Sequence, residues 1–158
     1  MFSVSATTRA QRPGERDGVD YYFVTREKFE ALIREGALIE YEEIFGNYYG
    51  TPVSEVERAK QMDKSLLFDI DVKGGISIRK KFPQESLLIF VAPPDFQVLE
   101  QRLRDRKTEP EETVRRRLNR AGMEMAMADR YDYIVINDDL DRAVGEVESI
   151  IFDRDSQD

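Results

Sequence analysis

The stretch LLFDIDVKGG, residues 66–75, decides the fold. Its first five residues are a short, nearly continuous apolar run, the pattern of a strand buried on both faces in a parallel sheet covered by helices. It runs into Asp71 and then Gly74 and Gly75, where an amphipathic stretch opens a helix over 74–82. Two further runs read the same way, LLIFV at 87–91 and YIVI at 133–136, and FSVSA at 2–6 makes a fourth. Helical stretches lie between and after them, at 95–106, 108–127 and 139–152, with Thr108 and Glu111 in the form of a capping box. Strand–helix alternation of this kind means α/β with right-handed crossovers.

Residues 19–53 depart from that rhythm. A helix over 26–35 is stopped by Gly36, and the Tyr-rich stretches VDYYF and IEYEEIFGNYYG around it predict short, half-exposed strands. The segment reads as a small subdomain inserted in the α/β core. No internal repeat or low-complexity tract is visible, and the polar tail 153–158 is expected to fray.

With 158 residues and 41% apolar content the chain suits one domain with one core. The formal net charge of -8 argues against a general nucleic-acid or membrane binder. Cysteine and histidine are both absent, which removes disulfides, thiolate nucleophiles, a His general base and the usual zinc sites. Catalysis must then rest on carboxylates, Arg, Lys, hydroxyls, backbone amides and a hard metal ion. No apolar run approaches the ~20 residues of a membrane span. The first ten residues lack the apolar core of a signal peptide, so a cytoplasmic location is expected.

In open α/β sheets, ligands bind beyond the carboxyl ends of the strands. There the sequence gathers Asp69 and Asp71 from one run, Asn137, Asp138 and Asp139 from another, and Ser5, Thr7, Thr8 and Arg9 from the first. An Asp inside an apolar strand costs several kcal/mol, roughly, unless it is paired or binds a metal; a helix N-cap or structural ion pair is the plain alternative. Arg9 and Arg12 are two guanidinium forks in a Pro/Gly-bearing loop that suit a phosphate or serve as solvated surface charges. Glu40, beside a purine, would accept from guanine N1–H and the exocyclic amine, a donor pair adenine lacks; it also reads as a solvated strand residue. The segment 101–120 carries seven arginines, either as a solvated helical pair or as a lid that closes over phosphates.

Taken together, SVSATTRAQRPGERDGVDYYF, GALIEYEEIFGNYYGT, LLFDIDVKGG, FVAPP with LEQRLRDR, VRRRL and YIVINDDL resemble the guanylate kinases, in family order and spacing over nearly the whole chain. The resemblance implies a P-loop-kinase-type parallel sheet flanked by helices, a single domain over 1–158 with a GMP-binding subdomain at 19–53 and a lid at 102–120. It implies transfer of the terminal phosphoryl group of ATP to GMP, giving GDP and ADP. Arg9, Arg12, Tyr21 and Tyr49 then surround the GMP phosphate, Glu40 and Asp71 read the guanine amino edge, and Ser5 and Thr51 reach O6. Asp69 matches the acidic residue near Mg2+, Arg102, Arg106 and Arg117 match the arginines on the transferring phosphoryl group, and Asn137 falls near the adenine.

Two departures stand out. Lys107 follows Arg106 where the family commonly has Gly. No G-x-x-x-x-G-K-[ST] occurs in the 158 residues; the family places that loop, and a central strand, ahead of the segment matched by residues 2–9. The chain as given is therefore expected to be inactive or severely impaired in transfer. The alternative reading is a non-catalytic guanylate-kinase-like module for GMP or a phosphopeptide. The base-reading set Glu40, Asp71, Ser5 and Thr51 favours the enzyme lineage.

Overall fold

Two sheets form, one in each half of the chain. The computed structural model describes residues 1–105 and 110–155, which divide into the units Met1–Ser86 and Leu87–Asp158. In the first unit the chain runs β1 (Ala6–Thr7), β2 (Tyr22–Phe23), α1 (Arg26–Arg34), β3 (Leu38–Ile44), β4 (Asn47–Pro52), α2 (Val53–Gln61) and α3 (Val72–Lys81). The strand order is β2-β1-β4-β3, with β1 parallel to β2 and the other neighbours antiparallel. Thr25 starts α1 by accepting from Lys28 N at 3.2 Å. One face of that helix is then driven into the sheet. Phe29 is fully buried with Ala6 and Leu38 and stacks on Tyr48 at 5.1 Å between ring centroids, interplanar angle 12°. Burying a side chain of that size contributes about 1.5–3 kcal/mol.

The β3–β4 hairpin turns through Phe45 and Gly46 alone, between the paired Ile44 and Asn47. Both turn residues have positive φ, 51° and 81°, the requirement of a two-residue turn whose twist matches its strands. The hairpin is irregular at its other end. Leu38 pairs with Pro52 and Glu40 with Thr51, so Ile39 is an extra residue in β3. The bulge puts three consecutive residues, Leu38, Ile39 and Glu40, in the interior, where a regular strand would alternate.

The second unit holds β5 (Ile89–Ala92), α4 (Phe96–Asp105), α5 (Glu111–Met125), β6 (Tyr133–Ile136) and α6 (Leu140–Asp155). β5 and β6 pair in parallel from Ile89↔Tyr133 to Ala92↔Ile136. Asp95 and Asp139 act as caps, accepting from Val98 N at 2.8 Å and Arg142 N at 2.9 Å. No described helix is long and apolar enough to cross a membrane.

The mixed α/β character read from the sequence holds, but the strands differ. Residues 66–70 form no strand; their single ladder contact is a parallel bridge from Leu67 to Phe2. With a partner on one side only, the run stays partly open and Asp69 is exposed, so no burial cost falls on that carboxylate. The runs at 87–91 and 133–136 pair at Ile89–Ala92 and Tyr133–Ile136, yet they are not buried on both faces: Val91 is 55% and Ile134 49% exposed. In the segment 2–6 only Ala6 lies in a strand, β1. α2 went unread. α5 begins at Glu111 with Pro110 at its N-cap; Thr108 lies outside the described residues.

Candidate functional site

Regular alternation along β3, in step with Glu42 and Ile44, places Glu40 in the wall of a cleft of about 310 Å3. Ser5, Tyr21, Glu42, Ile44, Tyr49, Gly50, Asp69, Ile70 and Asp71 complete the lining, all within the unit Met1–Ser86. Glu40 is only 8% exposed. Thr51, opposite it in the ladder and fully buried, donates its hydroxyl to Glu40 Oε1 at 2.7 Å. Burial pushes the Glu40 carboxyl up from its ordinary range; the Thr51 hydroxyl opposes that, the nearby Asp71 charge adds to it, and Lys81 draws it back. The Lys81 ammonium donates to the carbonyl of Ile39. It thereby satisfies an acceptor on the bulge residue, whose backbone the ladder leaves without a regular partner.

Two glycines let the backbone come this close. A Cβ on Gly50 would lie 2.8 Å from the carbonyl oxygen of Glu40 and 3.0 Å from Phe29 Cζ. A Cβ on Gly74 would lie 3.0 Å from Glu40 Oε2 and 3.1 Å from Asp71 Oδ1. Asp71 is the N-cap of α3, accepting from Gly74 N at 2.8 Å. The capping bond turns its carboxylate toward Glu40, and both face the cleft. Glu42, on the rim, is ion-paired with Lys73 at 2.9 Å.

The described lining contains four carboxylates and no Lys or Arg. Positive charge sits beside it instead. The Arg9 guanidinium lies 5.3 Å from the Tyr21 ring centroid and 5.7 Å from that of Phe23, and Tyr49 interacts with the same group. Tyr21 and Tyr49 meet edge to face at 6.1 Å. Burial, with the Tyr49, Asp69 and Glu15 charges, pushes the Tyr21 hydroxyl up, against the pull of Arg9. It therefore stays a hydrogen-bond donor. A base-sized cleft with acceptors at one end and Arg and Tyr donors at the other suits a nucleotide carrying a phosphate.

The guanylate kinase family model matches residues 1–154. The chain belongs to the guanylate kinase family. A guanylate kinase of Chlorobium luteolum is 51% identical over 146 residues, covering 92% of this chain and 74% of the relative. One from Streptococcus agalactiae is 47% identical over 150 residues, covering 95% and 71%. The crystal structure of guanylate kinase from Anaplasma phagocytophilum superposes with a TM-score of 0.82 at 34% identity, covering 98% of this chain and 75% of that one.

Of the residues to which the guanylate kinase resemblance gives a role, Ser5, Tyr21, Glu40, Tyr49, Asp69 and Asp71 share this one cleft. Thr51 stands behind it with its hydroxyl on Glu40. Arg9 flanks it, and Arg12 is exposed on the adjoining loop. In the second unit, Arg102 and Asn137 line a separate hollow of about 240 Å3 with Val91, Ala92, Pro93, Leu99 and Leu103. Arg117 is half-buried on α5, and Arg106 lies outside the described residues. Among the described residues no cluster of three or more carboxylates is placed to cage a metal. Asp69, exposed at the cleft, offers one ligand, which fits a Mg2+ ion that keeps water and nucleotide phosphate oxygens in its shell.

Sequence reasoning missed Lys81, Glu15 and Glu55, and gave Gly74 no contact with Glu40. Glu55 is 1% exposed and accepts from Val4 N at 2.8 Å, Tyr22 Oη at 3.2 Å and Arg58 Nη2 at 2.5 Å, tying α2 to the chain entering β1. Its signal was faint: a Glu four residues before Ala59 on one face of an unread helix.

Proposed function

We propose that the cleft binds GMP and that the chain is built for transfer of the terminal phosphoryl group of ATP to it. The observation that carries this reading is Glu40, a nearly buried carboxylate held by Thr51 beside Asp71. Two adjacent carboxylates accept from guanine N1–H and the 2-amino group, and adenine cannot supply that pair of donors. The Thr51 hydroxyl is committed to Glu40, so recognition of O6 falls to Ser5, with Thr51 acting through the carboxylate. Arg9 and Arg12, with Tyr21 and Tyr49, take the phosphate; a guanidinium donates two parallel bonds to it and stays charged. In this reading residues 19–53 are a GMP-binding subdomain and 102–120 a lid whose Arg102, Arg106 and Arg117 neutralise the transferring group, with Asn137 toward the adenine. Mg2+, brought with ATP and met by Asp69, supplies further neutralisation of the phosphates.

Phosphoryl transfer depends on positioning and charge neutralisation rather than on a covalent nucleophile, which suits a chain without Cys or His. The 158 residues contain no P-loop sequence to align a triphosphate, so by themselves they are expected to bind GMP but to transfer to it poorly. Calorimetry with GMP, AMP and a phosphoserine peptide tests the reading. GMP should bind more tightly than AMP by about tenfold or more, the equivalent of one hydrogen bond to a charged acceptor. Equal affinity for the two nucleotides would refute it, and tighter binding of the peptide than of GMP would make the chain a phosphopeptide module.

A further inference from the structure

Glu15 lies outside the cleft lining and has no role in the reading above, yet it holds both arginines at the phosphate end. Its Oε1 accepts from Arg9 Nη2 at 2.7 Å and its Oε2 from Arg9 Nη1 at 3.1 Å. The same Oε2 accepts from the backbone N–H of Arg12 at 2.7 Å. This is not a loose surface pair: the side chains of Arg9 and Glu15 are 14% and 19% exposed, and the Arg9 guanidinium is flanked by the Tyr21 and Phe23 rings.

A guanidinium has five N–H donors in a fixed plane. Arg9 Nη1 gives one to Glu15 and one to the carbonyl of Ala10 at 2.7 Å. Nη2 gives one to Glu15. The side edge, Nε–H with the second Nη2 hydrogen, is turned away from Glu15, and the Tyr49 side chain is a hydrogen-bonding neighbour of the guanidinium. Those two donors form a fork of their own, matched to two oxygens of a phosphate.

We propose that Glu15 is a positioning residue for phosphate recognition: by occupying the Nη1/Nη2 end of Arg9 and the N–H of Arg12, it fixes the edge of Arg9 offered to a monoester phosphate. This rests on the GMP reading. The proposal has an unusual sign. A carboxylate beside a phosphate repels it, so on charge alone Glu15→Gln should tighten GMP binding. Positioning requires the opposite, because an amide cannot accept on both atoms and the guanidinium loses its fixed orientation.

The test is calorimetry of GMP and guanosine on the parent chain, Glu15→Gln and Glu15→Asp, with thermal unfolding of each. Glu15→Gln is expected to weaken GMP about tenfold, the effect of one misplaced charge-assisted bond, and to leave guanosine within about twofold. Glu15→Asp, which keeps the charge on a shorter stem, should lose less GMP affinity and again spare guanosine. It also carries the test if the Gln variant does not fold. GMP affinity that is unchanged or improved in the folded variants overturns the proposal. Equal losses for GMP and guanosine also overturn it, as the mark of a merely structural residue. A parent chain that, titrated also with AMP, binds GMP with no preference over it overturns the GMP reading itself, and the Glu15 role with it. A parent that prefers GMP while Glu15→Gln leaves the GMP-to-guanosine ratio unchanged overturns Glu15 alone.

Discussion

Thr51→Val removes a single donor from a place where its partner is known. The Thr51 hydroxyl has no solvent exposure and lies 2.7 Å from Glu40 Oε1. Valine fills nearly the same space, so the change is polar rather than volumetric. A hydrogen bond to a charged group contributes about 1.5–3 kcal/mol, and for a unit of this size the loss lowers Tm on the order of 10 °C. The pH dependence makes the prediction specific. Burial already holds the Glu40 carboxyl above its ordinary 4.5, with Thr51 opposing; without Thr51 it rises further. A carboxyl raised in the folded state favours the protein below the unfolded value, and that contribution is lost as pH rises through the folded one. The penalty of Thr51→Val is therefore largest at neutral pH, where Glu40 is ionised, and shrinks in acid, where the protonated carboxyl needs no donor. Because guanine donates to the ionised form, the acid limit of GMP binding also moves upward. Urea unfolding and GMP titration at about pH 5 and about pH 8 check both. Thr51→Ser keeps the hydroxyl and serves as the control. A Thr51→Val penalty that is the same at both pH values would show that the hydroxyl does not support an ionised Glu40.

Gly74→Ala should weaken GMP about tenfold with little change in Tm, since its Cβ would meet Glu40 Oε2 and Asp71 Oδ1 while alanine favours the helix by about 1 kcal/mol; calorimetry beside thermal unfolding separates the two effects. Glu55→Gln should cost about 1–3 kcal/mol at neutral pH. Burial raises the Glu55 carboxyl, but the bonds from Arg58, Val4 N–H and Tyr22 outweigh it and hold the group below 4.5. Its stabilisation is therefore present above that value and lost as pH falls through the folded one. Urea unfolding below about pH 5 should show a flatter acid decline in Glu55→Gln than in the parent.

The alternation of apolar runs with helical stretches was enough to place α1, α3, α4, α5 and α6 near their observed positions, because amphipathic period and Asp or Thr caps are local signals. Residues 66–70 show where that logic stops. An apolar run states what a strand would bury, not whether a neighbour is there to pair with it, and here one bridge to Phe2 is all that forms. The site was legible only in part for a related reason. Glu40 reads from the sequence equally well as facing in or out, and what decides the matter is the pairing of β3 with β4 that sets it on the cleft face with Glu42 and Ile44, a non-local fact. Asp71 is a helix cap, the plain alternative, and it also lines the cleft. Glu15 and Glu55 escaped because their meaning lies in partners, Arg9 and the Val4 amide, that no spacing rule links to them.

Loops are where related proteins ordinarily gain and lose residues without penalty. The turn at Phe45 and Gly46 is denied that freedom. It acts as the zero mark from which the hairpin counts outward, setting Glu42 against Tyr49 and Glu40 against Thr51. One residue added between Ile44 and Asn47, if the ladder took it up instead of a longer loop, would carry Tyr49 and Thr51 out of register together and turn each to the opposite face. Length and residue choice are both held there, the second by the positive φ at Phe45 and Gly46.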